Sequence, residues 1–169
     1  LSKHLFLEAS RLAYQDRSYF IADPLFFNIP LAKLISSKYL RKRSLLINEN
    51  QSIKDFRHGN IVTFKNKNIQ SGINLEKTST THISIVDKRG NAVSLTSSIE
   101  FAFGSGITVG GFFLNNQLTD FSFKSKNKKG ELIANRVEPN KKPRSSMSPT
   151  LVFSDNELKA VLGSPGGSR

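Results

Sequence analysis

"TTHISIVDKRGNAVSLTSS" (Thr80–Ser98) is the stretch whose reading decides the fold. "HISIVD" (His82–Asp87) alternates apolar and polar residues, "KRGN" (Lys88–Asn91) has the composition of a turn, and "AVSLTSS" (Ala92–Ser98) alternates again. A period of two on both sides of a Gly-containing turn predicts a β-hairpin. A hairpin does not need the "STT" of Ser79–Thr81 at its head. Two readings of that head stand side by side. Threonine is a good strand residue, and the hydroxyls then have no further role. Alternatively, Thr80 is a nucleophile held at a strand end. A threonine hydroxyl is weakly nucleophilic at its own pKa and needs a base beside it. Its own α-amino group can be that base if the chain is cut just before it. A polar segment ending in Lys77-Thr78-Ser79, followed directly by a strand, is the arrangement such a self-cleavage needs.

Upstream, Leu5, Ala9, Leu12 and Ala13 recur at i, i+4, i+7 and i+8, which predicts a helix over residues 1–16. "ADPLFFNIP" (Ala22–Pro30) contains two prolines and cannot continue it. A second helix is expected from about Ser37 to Leu46, with Ser36 or Ser37 as its cap. Residues 48–79 are polar and aperiodic and read as loop. Downstream, "FFLNNQLTDF" (Phe112–Phe121) runs from an apolar start into a polar loop, and residues 122–142 are basic and loop-like. "TLVFS" (Thr150–Ser154), "DNE" and "LKAVLG" (Leu158–Gly163) predict a second hairpin. Helices first and antiparallel strands afterwards indicate an α+β protein with helices packed on a sheet. There is no internal repeat.

The 169 residues suit one domain or part of a larger one. Leu1 in place of Met, and a Gly-rich run before Arg169, give the expectation of a fragment or a processed piece. The absence of cysteine excludes disulfides and thiolate chemistry. With three histidines and no cysteine, neither a structural zinc site nor any other metal or cofactor is expected. No run of 18 apolar residues suggests a membrane span. The net charge of +12 divides into +7 for residues 1–79 and +5 for residues 80–169. Its densest runs, "RKR" (Arg41–Arg43) and "KSKNKK" (Lys124–Lys129), lie in polar surroundings. Charge spread in this way reads as a solvated surface rather than a nucleic-acid footprint. A basic, anion-binding fragment without catalysis remains the alternative from a different class.

Four further stretches have both a chemical and an ordinary reading. "GSPGG" (Gly163–Gly167) can aim two backbone N–H groups at one oxyanion, or simply turn the chain. The paired hydroxyls of Ser145 and Ser146, set between Pro143 and Pro149, can bind a carboxylate or form a polar loop. Gln117 and Asp120 in "NNQLTDF" (Asn115–Phe121) suit a ligand with an ammonium group, but they are also turn residues. Glu100 is a lone acid before the Gly-rich "FGSG" (Phe103–Gly106).

In combination, "TTHISIVDKRGNAVSLTSSIEFAFGSG", "LNNQLTDF", "PNKKPRSSMSPTLV" and "GSPGGSR", in this order and spacing, closely resemble the γ-glutamyltranspeptidase family of N-terminal nucleophile hydrolases. "EASRLAYQDRSYFIADP" (Glu8–Pro24) resembles the helix and loop that end the family's large subunit. The resemblance implies a partial αββα sandwich, antiparallel sheets with packed helices, incomplete in this chain. Residues 1–79 would close the large-subunit region, and residues 80–169 would open the small-subunit region. Self-cleavage would fall between Ser79 and Thr80. Thr80 would then take the γ-glutamyl group of glutathione or a similar amide and pass it to water or to an amine acceptor. By the same resemblance Ser98 supports the Thr80 amino group, where the family usually has threonine. Gly166 and Gly167 form the oxyanion hole. Ser145 and Ser146 hold the substrate α-carboxylate. Asp120, with Gln117 and Glu100 beside it, meets the α-ammonium. The family's carboxylate-gripping arginine would lie upstream of Leu1, so missing segments or a partner chain of the same enzyme are implied. Bacterial members imply a periplasmic or secreted location. An inactive or truncated remnant of the family is an alternative, and related acylases, which share the nucleophile but take other amides, are a further one.

Overall fold

A computed structural model describes residues 1–61, 69–70 (backbone) and 80–165. In chain order its elements are α1 (Ser2–Phe20), the one-turn α2 (Leu31–Leu34), α3 (Ser37–Ser44), β1 (Ile69–Gln70), β2 (Thr80–Val86), β3 (Ala92–Ser98), β4 (Thr108–Val109), β5 (Phe112–Phe113), a 3-10 turn (Gln117–Asp120), β6 (Leu132–Ile133), β7 (Thr150–Ser154) and β8 (Glu157–Leu162). The protein is α+β, with antiparallel pairs β2–β3, β4–β5 and β7–β8 and one short parallel pair, β1–β6. The described residues fall into two compact units. One is drawn from residues 1–73 and 121–144, the other from 74–120 and 145–169.

The first unit holds the helices. α1 runs one turn beyond the expected residue 16, because its last turn carries core residues. Phe20 is 1% exposed and packs with Tyr39 and Ile61. The helix stops at Ile21 (φ −108°, ψ 124°), just ahead of Asp23-Pro24, where the proline ring disfavours helical backbone in the residue before it. Of the expected apolar stripe, Leu12 is buried and Leu5 half-buried, while Ala9 and Ala13 are exposed. Both alanines line an open apolar cleft of about 340 Å³ shared with α2 and α3. α3 begins at the expected cap: the Ser36 hydroxyl accepts from the Tyr39 N–H at 3.3 Å. It ends at Ser44 rather than Leu46.

Loops are fastened to these helices by buried ions. The Glu8 carboxylate accepts from Arg11 at 2.7 Å and from the Ile53 N–H at 2.8 Å. Asp16 accepts from the Gly59 N–H at 2.7 Å and pairs with Arg43 at 3.2 Å. Asp23 accepts from the Leu25 and Lys142 N–H groups, the latter 119 residues away in sequence. A second small cluster, Ala22, Phe27 and Ala134, lies beside that tether.

The second unit holds the two long hairpins. In β2–β3 the register pairs Thr80 with Ser98, His82 with Thr96 and Ser84 with Ser94 on one face, and Ile83 with Leu95 and Ile85 with Val93 on the other. The turn is closed by Asp87, whose carboxylate accepts from the Arg89 and Asn91 N–H groups and from the Asn91 amide. In β7–β8 the turn residues Asp155 and Asn156 both have positive φ (52° and 62°), the two-residue turn whose twist matches a hairpin. The Ser94 hydroxyl joins the hairpins: it accepts from the Thr150 N–H at 3.1 Å and donates to the Leu162 carbonyl at 2.8 Å.

Candidate functional site

Strand pairing sets the first part of the site. Thr80 heads β2 and Ser98 ends β3, so the two hydroxyls share one face at the open end of the hairpin. Thr80 Oγ1 donates to Ser98 Oγ at 3.1 Å. The same Ser98 oxygen accepts from the Glu100 N–H at 3.0 Å. One serine thereby fixes the strand head and the first turn after β3.

The second part is a pair of acids. Among the described residues of this unit, only Glu100 and Asp120 are buried, 7% and 8% exposed. Buried carboxylates need hydrogen-bonding partners. Gln117 Nε2 supplies them by donating to Asp120 Oδ2 at 2.7 Å and, at the longer distance of 3.4 Å, to Glu100 Oε2. The Thr119 hydroxyl donates to Glu100 Oε1 at 3.1 Å. Glu100 has φ 71°, a left-handed conformation costing a non-glycine residue about 1–2 kcal/mol. Its backbone bond to Ser98 and its carboxylate bonds hold it there.

The loop bearing the second acid is positioned by asparagines. The Asn115 carboxamide accepts from the Gln117 N–H at 3.0 Å and opens the 3-10 turn. The Asn116 carboxamide accepts from the Phe101 N–H at 3.0 Å, and the Asn116 N–H donates to the Ile99 carbonyl at 3.3 Å. The loop is therefore laced to the turn after β3. Two acidic oxygens converge on one amide, leaving a locally anionic, acceptor-rich spot suited to a cationic donor such as an ammonium group.

The structure thus brings together Thr80, Ser98, Glu100, Gln117 and Asp120 through one chain of hydrogen bonds. Ser145 is exposed, with its hydroxyl accepting from the Met147 N–H at 3.1 Å; Ser146 is half-buried. Ser79, Gly166 and Gly167 lie outside the described residues. Thr119 and Asn116 also take part in the network around the site, and His82 and Thr96 bond to each other on the Thr80 face of the hairpin; the sequence reading gave these four no role. The period-two register would have placed His82 and Thr96 on the Thr80 face. Nothing in the sequence pattern marks Thr119. Among the described residues there is no cluster of metal-ligating side chains.

The arrangement is a hydroxyl pair at the head of a strand, followed by a buried acid pair bridged by one amide. Residues 1–169 match the family model described as gamma-glutamyltranspeptidase, and the chain belongs to that family. It is 38% identical to the glutathione hydrolase proenzyme of Bacillus subtilis, over 97% of this chain and 28% of the relative. It is 41% identical to the glutathione hydrolase proenzyme of Escherichia coli, over 96% of this chain and 27% of the relative. The gamma-glutamyltranspeptidase structure from Helicobacter pylori aligns at 48% identity and a TM-score of 0.45, covering 53% of this chain and 51% of that one. The chain therefore spans just over a quarter of the length of these curated relatives.

Proposed function

We propose that these residues are the nucleophile-bearing part of a γ-glutamyltransferase or glutathione hydrolase. The observation that carries the reading is the Thr80–Ser98 hydroxyl pair, joined through the Glu100 N–H to the buried Glu100–Gln117–Asp120 cluster. In maturation, Thr80 Oγ attacks the Ser79 carbonyl and the peptide becomes an ester. That shift breaks the Ser79–Thr80 C–N bond and frees the Thr80 α-amino group; water then hydrolyses the ester, releasing the Ser79 carboxylate and restoring the Thr80 hydroxyl. In turnover, Oγ attacks the carbonyl carbon of a γ-glutamyl amide and its proton passes to that amino group. The N–H groups of Gly166 and Gly167 receive the oxyanion. The amine leaves with the proton, and the γ-glutamyl ester on Thr80 remains. Water or an incoming amine attacks the ester, and the hydroxyl is restored.

Asp120 and Glu100 hold the substrate α-ammonium, with Gln117 between them. Ser145 and Ser146, together with an arginine from outside these residues, hold the α-carboxylate. Anchoring both ends of the glutamyl group places the reacting carbonyl at Thr80. The completed fold is an αββα sandwich. The exposed Ile83, Ile85, Val93 and Leu95 support it, because an apolar strand face needs a covering layer.

The test is turnover of a γ-glutamyl anilide by the natural chain carrying these residues, with rapid quenching and mass analysis. A γ-glutamyl adduct on the peptide that begins at Thr80 is expected, and none in Thr80→Ala. Turnover with the adduct on another residue, or undiminished turnover in the variant, would overturn the proposal.

A further inference from the structure

His82 lies two residues beyond Thr80, on the same face of β2. Its ring is held from both sides, with Nδ1 2.8 Å from Thr96 Oγ1 and Nε2 2.9 Å from Ser84 Oγ. The ring also lies directly on Gly163: a Cβ added to that glycine would fall on the imidazole atoms. Gly163 is not among the glycines with positive φ, so its backbone does not demand glycine. The ring does. One residue earlier, the Leu162 carbonyl accepts from Ser94 on the same polar face. The end of β8 and the residue after it are thus seated on the β2–β3 hairpin, Leu162 on β3 and Gly163 on β2.

Both contacts lie immediately before the Gly-rich segment. Resting on the function proposed above, where Gly166 and Gly167 stabilise the oxyanion, we infer that His82 is a positioning residue. By seating Gly163 against β2 it fixes, relative to Thr80, the point from which the chain runs on towards Gly166 and Gly167. It need not touch substrate or carry a proton, because both ring nitrogens already face hydroxyls.

The test uses the natural chain with Gly163→Ala, His82→Ala, the double variant and His82→Asn, which keeps a polar group near Nδ1. Self-cleavage, kcat and KM for a γ-glutamyl anilide, and the melting temperature are read for each. Gly163→Ala is expected to lower kcat about tenfold or more with KM nearly unchanged, as a small misplacement of catalytic groups does. The double variant should recover part of that loss, because the ring no longer occupies the space of the new methyl group. His82→Asn should retain more kcat than His82→Ala at a similar melting temperature. The inference is overturned if Gly163→Ala behaves as wild type, or if the double variant is no better than the worse single one. A proportionate change in kcat, KM and melting temperature, the signature of general damage, also overturns it. A wild-type chain that neither cleaves nor turns over removes the functional reading and this inference with it; an active wild type with unaffected variants removes this inference alone.

Discussion

Ser98 serves two partners at once, and its substitution separates catalytic support from simple strand pairing. Ser98→Ala removes the acceptor for Thr80 Oγ1 and for the Glu100 N–H. Self-cleavage and turnover are expected to fall about 100-fold, the scale of a lost proton-handling partner. Ser98→Thr, which keeps the hydroxyl, should preserve both; the two rates, measured side by side, check this. Asp120→Asn removes one charge from the buried pair. KM for γ-glutamyl substrates should rise about 10- to 100-fold, the worth of one charge-assisted hydrogen bond. An unchanged KM would place the ammonium elsewhere. Residue types alone could nominate Glu100, Gln117 and Asp120, but not their convergence. That depends on Asn115 opening the 3-10 turn, on Asn116 lacing the loop to the turn after β3, and on a left-handed backbone at Glu100. Both are long-range or strained features that leave no periodic trace in the sequence.

At the scale of elements, the hairpins were the most legible part. Alternation fixed which residues share a face, and "DKRGN" and "DN" supplied turns of the right chemistry. The helix ends were less legible. α1 continues to Phe20 because tertiary packing of that ring outweighs the local signals that suggested an earlier stop. The linkage between hairpins was not legible, since it rests on one serine in a strand rich in hydroxyls. Ser94→Ala deletes the bond from the Thr150 N–H and the bond to the Leu162 carbonyl. A loss of about 1–2 kcal/mol in urea unfolding is expected, near the net value of two such bonds. No change would mean that water replaces the serine without cost.

For the whole molecule, the described buried apolar residues all belong to the helical unit, while the hairpin unit leaves Ile83, Ile85, Val93, Leu95, Phe112 and Phe153 exposed. An isolated 169-residue chain with this surface should bind an apolar dye strongly, and a protein that carries these residues together with layers covering these faces should not. Dye fluorescence of the two, compared at equal concentration, checks this. The ionic fastenings give a pH signature. The Ile53 N–H, and Arg11 beside it, lower the Glu8 pKa; the Lys142 and Leu25 N–H groups lower that of Asp23; Lys141, and Arg136 with it, lower that of Glu138. A carboxyl depressed by folding stabilises above its unfolded value, about pH 4, and loses that contribution as the pH falls through its folded value. The melting temperature should therefore hold above about pH 5 and drop steadily below about pH 4. A flat profile through that window would show that these fastenings contribute little.

The most direct measurement is the intact mass of the natural chain after prolonged incubation, beside Thr80→Ala. The expected result is two pieces in the wild type meeting at Ser79/Thr80, with the variant uncut. A cut at any other bond, the same cut in the variant, or an uncut wild type would contradict the assignment of Thr80 as the nucleophile that frees its own amino group.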